Sequence, residues 1–203
     1  MNRNLALILT ILLSGTAVYA GGPKYPHRVY AGISSSPYVN AEIVTQAEHY
    51  HIDSLVPLGF TASYEYKLLS YLSVGAGGSY YSFIRYGDGT CHAGHNITLP
   101  VFFRLIASLP KTGLEYFLEL GGGFSYTTMQ AECDNDKSYP GVGYTAHGAI
   151  GARFWEWEHL AIWFDLRILV TAHHAGDRTD ETDYYPTEAM LLPAINIGMA
   201  YRF

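Results

Sequence analysis

The chain has 203 residues, 12 Lys+Arg against 18 Asp+Glu, and a formal net charge of −6. With so few cations and no basic stripe, nucleic acid is excluded as an expected partner. Apolar residues make up 49% and charged residues 15%, yet mean hydropathy is only +0.05. That is the balance of a chain whose apolar positions alternate with polar ones rather than gathering into runs.

In chain order, the first feature is a leader. Arg3 supplies a positive start, Leu5 to Leu13 an apolar core, and Val18-Tyr19-Ala20 a small-residue cleavage site. This is the pattern of a secretory signal peptide, and the run is short of the about 20 apolar residues a membrane helix needs. Residues 1–20 are therefore set aside and residues 21–203 form one domain. No Cys follows the cleavage point, so no lipid anchor is expected.

Eight segments then alternate large apolar with small or polar residues, the period of strands with one apolar face. They span about Arg28–Ser34, Leu55–Tyr66, Tyr71–Phe83, Ile97–Ile106, Leu114–Thr127, Val142–Trp155, His159–Ala172, and a last strand from near Met190. In the seventh, Leu160, Ile162, Phe164, Leu166, Ile168 and Val170 oppose Trp163, Asp165 and Arg167. Lengths of about ten residues suit tilted strands crossing a bilayer. Connectors alternate as well. Lys67–Ser70, Ser108–Gly113 and Glu156–Glu158 are tight, whereas Ser35–Ser54, Arg85–Asn96, Met129–Gly141 and His173–Glu188 are long. Short turns on one rim and long loops on the other place the first rim in the periplasm and the second outside the cell. Aromatic residues gather at both strand ends. Tyr64, Tyr66, Tyr71, Tyr116, Phe154, Trp155, Trp157, Tyr201 and Phe203 fall near the short turns; Tyr80, Tyr81, Phe83, Tyr126 and Tyr144 fall near the long loops. Amphipathic rings favour such boundaries.

The last nine residues set Ile195, Ile197, Met199, Tyr201 and Phe203 against Asn196, Gly198, Ala200 and Arg202. A strand ending on Phe with Tyr two before it resembles the insertion signal of bacterial outer-membrane β-barrels. That resemblance implies that Tyr201 and Phe203 are read by the barrel-assembly machinery. The whole pattern resembles the small eight-stranded family that includes the OmpA membrane domain and OmpX. It implies an all-β, eight-stranded antiparallel up-and-down transmembrane barrel in the bacterial outer membrane. A soluble eight-stranded carrier is the rival fold, and should be apolar inside and polar outside.

Charges fall on the polar parity of the strands: Arg28, Glu65, Arg104, Glu115, Glu119, Arg153, Asp165, Arg167 and Arg202. Facing lipid at the midplane, one Arg would cost about 2–4 kcal/mol. Facing inward they can pair, and an eight-stranded interior is just wide enough for side chains to fill. The expectation is a salt-bridged lumen, with a narrow pore as the alternative.

Cys91 and Cys133 are the only cysteines and sit in neighbouring long loops, so in an exported chain a disulfide is expected. His92, His95, His173 and His174 are weak candidates for metal capture; no cofactor is implied. The long loops also carry Glu42, Glu48, Asp53, Asp88, Glu132, Asp134, Asp136, Asp177, Asp180, Glu181, Asp183 and Glu188. Acidic loops can bridge to phosphorylated lipopolysaccharide through divalent cations. Some eight-stranded barrels are lipid A deacylases. The family resembling PagL uses a His-x-Ser pair, which does not occur here. The reading is a monomeric, non-enzymatic outer-membrane barrel with a structural or adhesion-like role. Its expected partners are membrane lipids, lipopolysaccharide and a host or surface ligand of the loops. A rim-located lipid A hydrolase and a small pore are the alternatives.

Overall fold

A computed structural model describes the backbone of residues 24–36, 39–44, 49–54, 58–87, 90–130, 138–174 and 187–203. It describes the side chains of residues 24–36, 58–82, 94–128, 141–172 and 190–203. The signal peptide, Cys133 and most loop acids lie outside the described residues. The described residues form ten strands: β1 His27–Ser35, β2 Val39–Val44, β3 His49–Ser54, β4 Leu58–Leu69, β5 Leu72–Gly87, β6 Thr90–Ser108, β7 Leu114–Gln130, β8 Ser138–Phe154, β9 Leu160–His174 and β10 Thr187–Arg202.

Eight of them, β1-β4-β5-β6-β7-β8-β9-β10, form a ring of antiparallel neighbours closed by the β1–β10 pair. One register row gives the shear. From Ile106 on β6 it passes through Phe117, Gly151, Asp165, Asn196, Ser34, Gly59 and Tyr81, and returns to β6 at Asn96, ten residues higher. With about 3.3 Å per residue and about 4.8 Å between strands, this shear implies a tilt of about 40° and a backbone radius of about 8 Å. Such an interior admits side chains and little else.

The outward parity is the one the alternation anticipates. Ile33, Phe60, Leu99, Val101, Phe103, Leu120, Ile150, Leu166 and Ile168 are each more than half exposed and form a continuous apolar belt. An apolar surface of that extent is the mark of a chain that meets lipid. Inside, large residues face glycine. Phe102 pairs with Gly75, His147 with Gly121, and Phe117 with Gly151, and a Cβ at any of these three glycines would strike the opposing ring. Alternating bulk of this kind fills small barrels without voids. Tyr81 and Trp155 depart from the expected aromatic girdles: both turn inward and are buried.

The long loops are shorter than the sequence suggests, because the wall continues into them. β2 and β3 prolong the β1–β4 hairpin in register: Ser35 pairs with Leu58, and four residues on along each strand Val39 pairs with Ser54. Arg85–Asn96, expected as a loop, is mostly strand, with Gly87 paired to Thr90 across two residues. Those two residues are Asp88-Gly89, a strong tight-turn dipeptide. At the other rim, Gly113 has φ +70 and its Cβ position lies 2.6 Å from the Trp155 carbonyl oxygen, so the turn before β7 needs glycine twice over.

Candidate functional site: the charged lumen

Six of the eight barrel strands deliver inward charges, each at a height set by register. β1 supplies Arg28, β4 Glu65, β6 Arg104, β7 Glu115 and Glu119, β8 Arg153, and β9 Asp165 and Arg167. The inward positions of β5 (Ser73, Gly75, Gly77, Ser79) and the lower part of β10 (Gly198, Ala200) are small, which leaves volume for four arginines.

The acids serve as hubs. Glu65 accepts from Arg28 at 3.1 Å, Arg153 at 3.0 Å, the Tyr30 hydroxyl at 2.8 Å, and also from Arg104. Glu115 accepts from Arg153 Nε at 2.5 Å, Trp155 Nε1 at 2.8 Å and Arg28 at 3.3 Å, and Lys67 lies 3.7 Å away. Glu119 accepts from Arg104 Nε at 2.9 Å and Arg167 at 2.9 Å, with His147 Nε2 at 2.8 Å. Asp165 accepts from Asn196 at 2.5 Å and Arg167 at 3.3 Å. Aromatic faces complete the packing, with the Arg104 guanidinium 4.4 Å from the Phe117 ring and 4.8 Å from Tyr30. Four arginines thus meet four carboxylates in one connected buried set.

Arg202 stands apart from that set. Its Nε donates to the Glu158 carbonyl at 2.5 Å, and its guanidinium lies 4.1 Å from the Trp155 ring and 5.2 Å from Tyr25. It caps the periplasmic mouth. Among the described residues the fifth lumen cation is instead Lys67, expected in a turn and found near the end of β4. Tyr30, His147, Trp155 and Asn196 are further members the charge count did not identify. Their inward parity was available; their reach to particular carboxylates was not.

Above the charges the lumen changes character. Thr61 bonds Ser79 at 3.2 Å and Asn96 bonds Thr127 at 2.7 Å. Buried polar atoms without a protein partner occur here on Ser34, Tyr81, Thr171 and the amide oxygens of Asn96 and Asn196, and in the charged layer on Arg28, Ser73, His147, Arg153 and Arg167 as well. Buried polar atoms of this kind are commonly paired to water.

Outside the membrane span, Lys24 reaches Glu158 at 2.7 Å and Tyr25 donates to the same carboxylate. Those two hydrogen bonds, Lys24 first, hold the Glu158 carboxyl down at about 2, and the same contact pushes the Lys24 ammonium above its ordinary range.

Tyr201 and Phe203 are both exposed, with rings 6.1 Å apart, and the Phe203 ring stacks on His27 at 5.4 Å. Cys91 lies on β6 opposite Tyr86, with its side chain outside the described set. His95 is exposed and bonds Tyr80 at 2.7 Å. His92, His173 and His174 are placed by backbone only. Among the described residues, no three His, Cys, Asp or Glu side chains gather as a metal site.

No family model matches the chain, and no curated protein matches it in sequence. Solved structures do match in shape. Neisserial surface protein A aligns with a TM-score of 0.55 and 8% identity over 87% of this chain and 97% of its own. The outer membrane protein OprG from Pseudomonas aeruginosa gives 0.52 and 13% over 90% and 98%. The outer membrane protease OmpT from Escherichia coli gives 0.51 and 9% over 92% and 99%. Identities this low speak to fold, and they join the apolar belt, the closed ring and the charged interior. The chain has the fold of the small transmembrane β-barrels of the bacterial outer membrane.

Proposed function

We propose that this barrel is a non-enzymatic, monomeric surface protein whose closed wall presents acidic loops for adhesion-like contacts. The observation that carries the reading is the buried set of four arginines and four carboxylates, which occupies an interior only about 8 Å in backbone radius. A lumen filled in this way serves stability rather than passage. What remains for interaction is the outer rim, where β2–β3 and the β5–β6 hairpin carry the wall beyond the belt. Glu42 and Asp53 lie on that extension, and ten further acids follow in the loop sequences. Such a rim suits a cationic surface ligand, or lipopolysaccharide phosphates bridged by divalent cations. Tyr201 and Phe203 would be the residues engaged by the assembly machinery.

The test is attachment of cells expressing the barrel to immobilised surface ligands, with the wild-type loops and with their acids changed to Asn and Gln. Attachment that depends on the acids supports the role. An altered lipid A acyl pattern on expression would instead select the hydrolase. A narrow pore is the second reading, and it rests on the Ser34 and Tyr81 hydroxyls and the Asn96 and Asn196 amide oxygens of one register row, buried atoms without a protein partner that suit a hydrated upper lumen.

A further inference from the structure

The apolar belt is not uniform. On β1, β4 and β5 the outward residues of one register row are Ala31, Ala62 and Gly78, all small. The row above carries Ile33, Phe60 and Tyr80, and the row below carries Val29 and Tyr64. Between them lies a trench of about 660 Å³ on the membrane-facing surface. Its direction follows from the shear. A register row followed from β1 through β4 and β5 to β6 climbs toward the long-loop rim, so the trench rises to end beside Ile97. There the surface turns polar. The Tyr80 hydroxyl and His95 Nδ1 are 2.7 Å apart with rings stacked at 5.7 Å, and His95 is exposed.

We propose that this trench seats one acyl chain of a phosphorylated outer-leaflet lipid, whose headgroup is held by the Tyr80–His95 pair. With Tyr80 donating to Nδ1, the imidazole proton sits on Nε2, which can donate to a phosphate oxygen. The order of groups is that of a lipid: apolar and narrow below, hydrogen-bonding at the boundary above. A second copy of the barrel would need no polar pair at one end. A comparison lies on the opposite side of the wall. A groove of about 570 Å³ around Gly148, walled by Leu118, Ile150, Leu166 and Ile195, is apolar at its surface and shows no such pair. It should exchange lipid like the rest of the belt.

The experiment uses the barrel refolded into vesicles doped with a phospholipid that carries a diazirine in its acyl chain, irradiated and mapped by peptide mass spectrometry. Adducts should concentrate on the β1, β4 and β5 segments that line the trench. Gly78→Leu fills the floor without a clash, since its Cβ would lie 3.5 Å from Leu99 Cδ2. It should lower labelling there to the level seen around Gly148. Ala62→Leu provides the same test if that variant fails to insert. His95→Ala should lower trench labelling while leaving insertion intact, and Gly148→Leu should leave it unchanged. Equal labelling at both grooves, trench labelling unaltered by Gly78→Leu or by His95→Ala, or a cross-link between two barrels through the trench would each overturn the proposal.

Discussion

The Glu65 carboxylate and the Arg153 guanidinium meet at 3.0 Å from strands four places apart in the ring of eight, so the pair spans the barrel from one wall to the other. Both side chains are fully buried. Breaking a buried pair by removing one partner costs about 3–5 kcal/mol, because the other charge stays in place without compensation. Glu65→Gln and Arg153→Gln should each lower unfolding stability by that order. The double variant should lose less than the sum of the two. Urea titration of the refolded barrel, monitored by gel mobility, measures all three; strictly additive losses would show that the contact carries no coupling.

Parity is tested by two adjacent residues on β9. Leu166 is half exposed on the outer face, whereas Arg167 is buried and donates to Glu119 and Asp165. Leu166→Arg should cost about 2–4 kcal/mol near the midplane and impair insertion. Arg167→Leu should lose stability through its orphaned acids yet still insert. Refolding both into vesicles under urea separates them, and equal insertion of Leu166→Arg and wild type would contradict the assigned faces.

This parity was legible in the sequence. Period-two alternation marks Leu166 and Arg167 as opposite without a structure, and the inward charges followed from the cost of placing Arg in lipid. What the period could not supply was distance. Arg202 and Lys67 both share the inward parity, yet Arg202 sits at the mouth over Trp155 whereas Lys67 reaches toward Glu115. Both lie near the end of a strand, where a long side chain chooses its direction by its neighbours. The loops were overestimated for a related reason: Asp88-Gly89 makes a tight turn possible far beyond the apolar belt, where polar strands no longer alternate visibly.

Gly113 should resist replacement. Its φ of +70 and the Trp155 carbonyl 2.6 Å from its Cβ position make Gly113→Ala costly, by about 1–3 kcal/mol. A urea midpoint equal to wild type would remove that requirement.

Acid should reach the Glu158 carboxylate at the periplasmic edge late. Glu158 titrates at about 2 when folded against an ordinary 4.5, so its contribution is present above the ordinary value and fades as pH falls toward the folded one. Carboxyl carbon NMR should place the midpoint there, and Lys24→Ala should return it toward the ordinary range. High salt should weaken the effect, since the pair is exposed. A Glu158 midpoint indifferent to Lys24 would exclude the contact.

Cys91 and Cys133, expected to pair from their places in neighbouring long-loop sequences of an exported chain, should be recovered as one disulfide-linked peptide pair under non-reducing digestion. Closing about forty residues, the bond should add about 3–4 kcal/mol in the chain-entropy model. Two alkylatable thiols on surface-exposed protein would refute it.

The charged lumen as a filled core is tested most directly by planar-bilayer recording of the purified barrel. Wild-type protein should show no discrete conductance steps, because Arg28, Arg104, Arg153 and Arg167 with their four carboxylates occupy the passage. Replacing Glu65 and Arg153 together with Ala should open measurable steps in the same assay. Discrete steps from the unaltered barrel would contradict the account and make this lumen a pore.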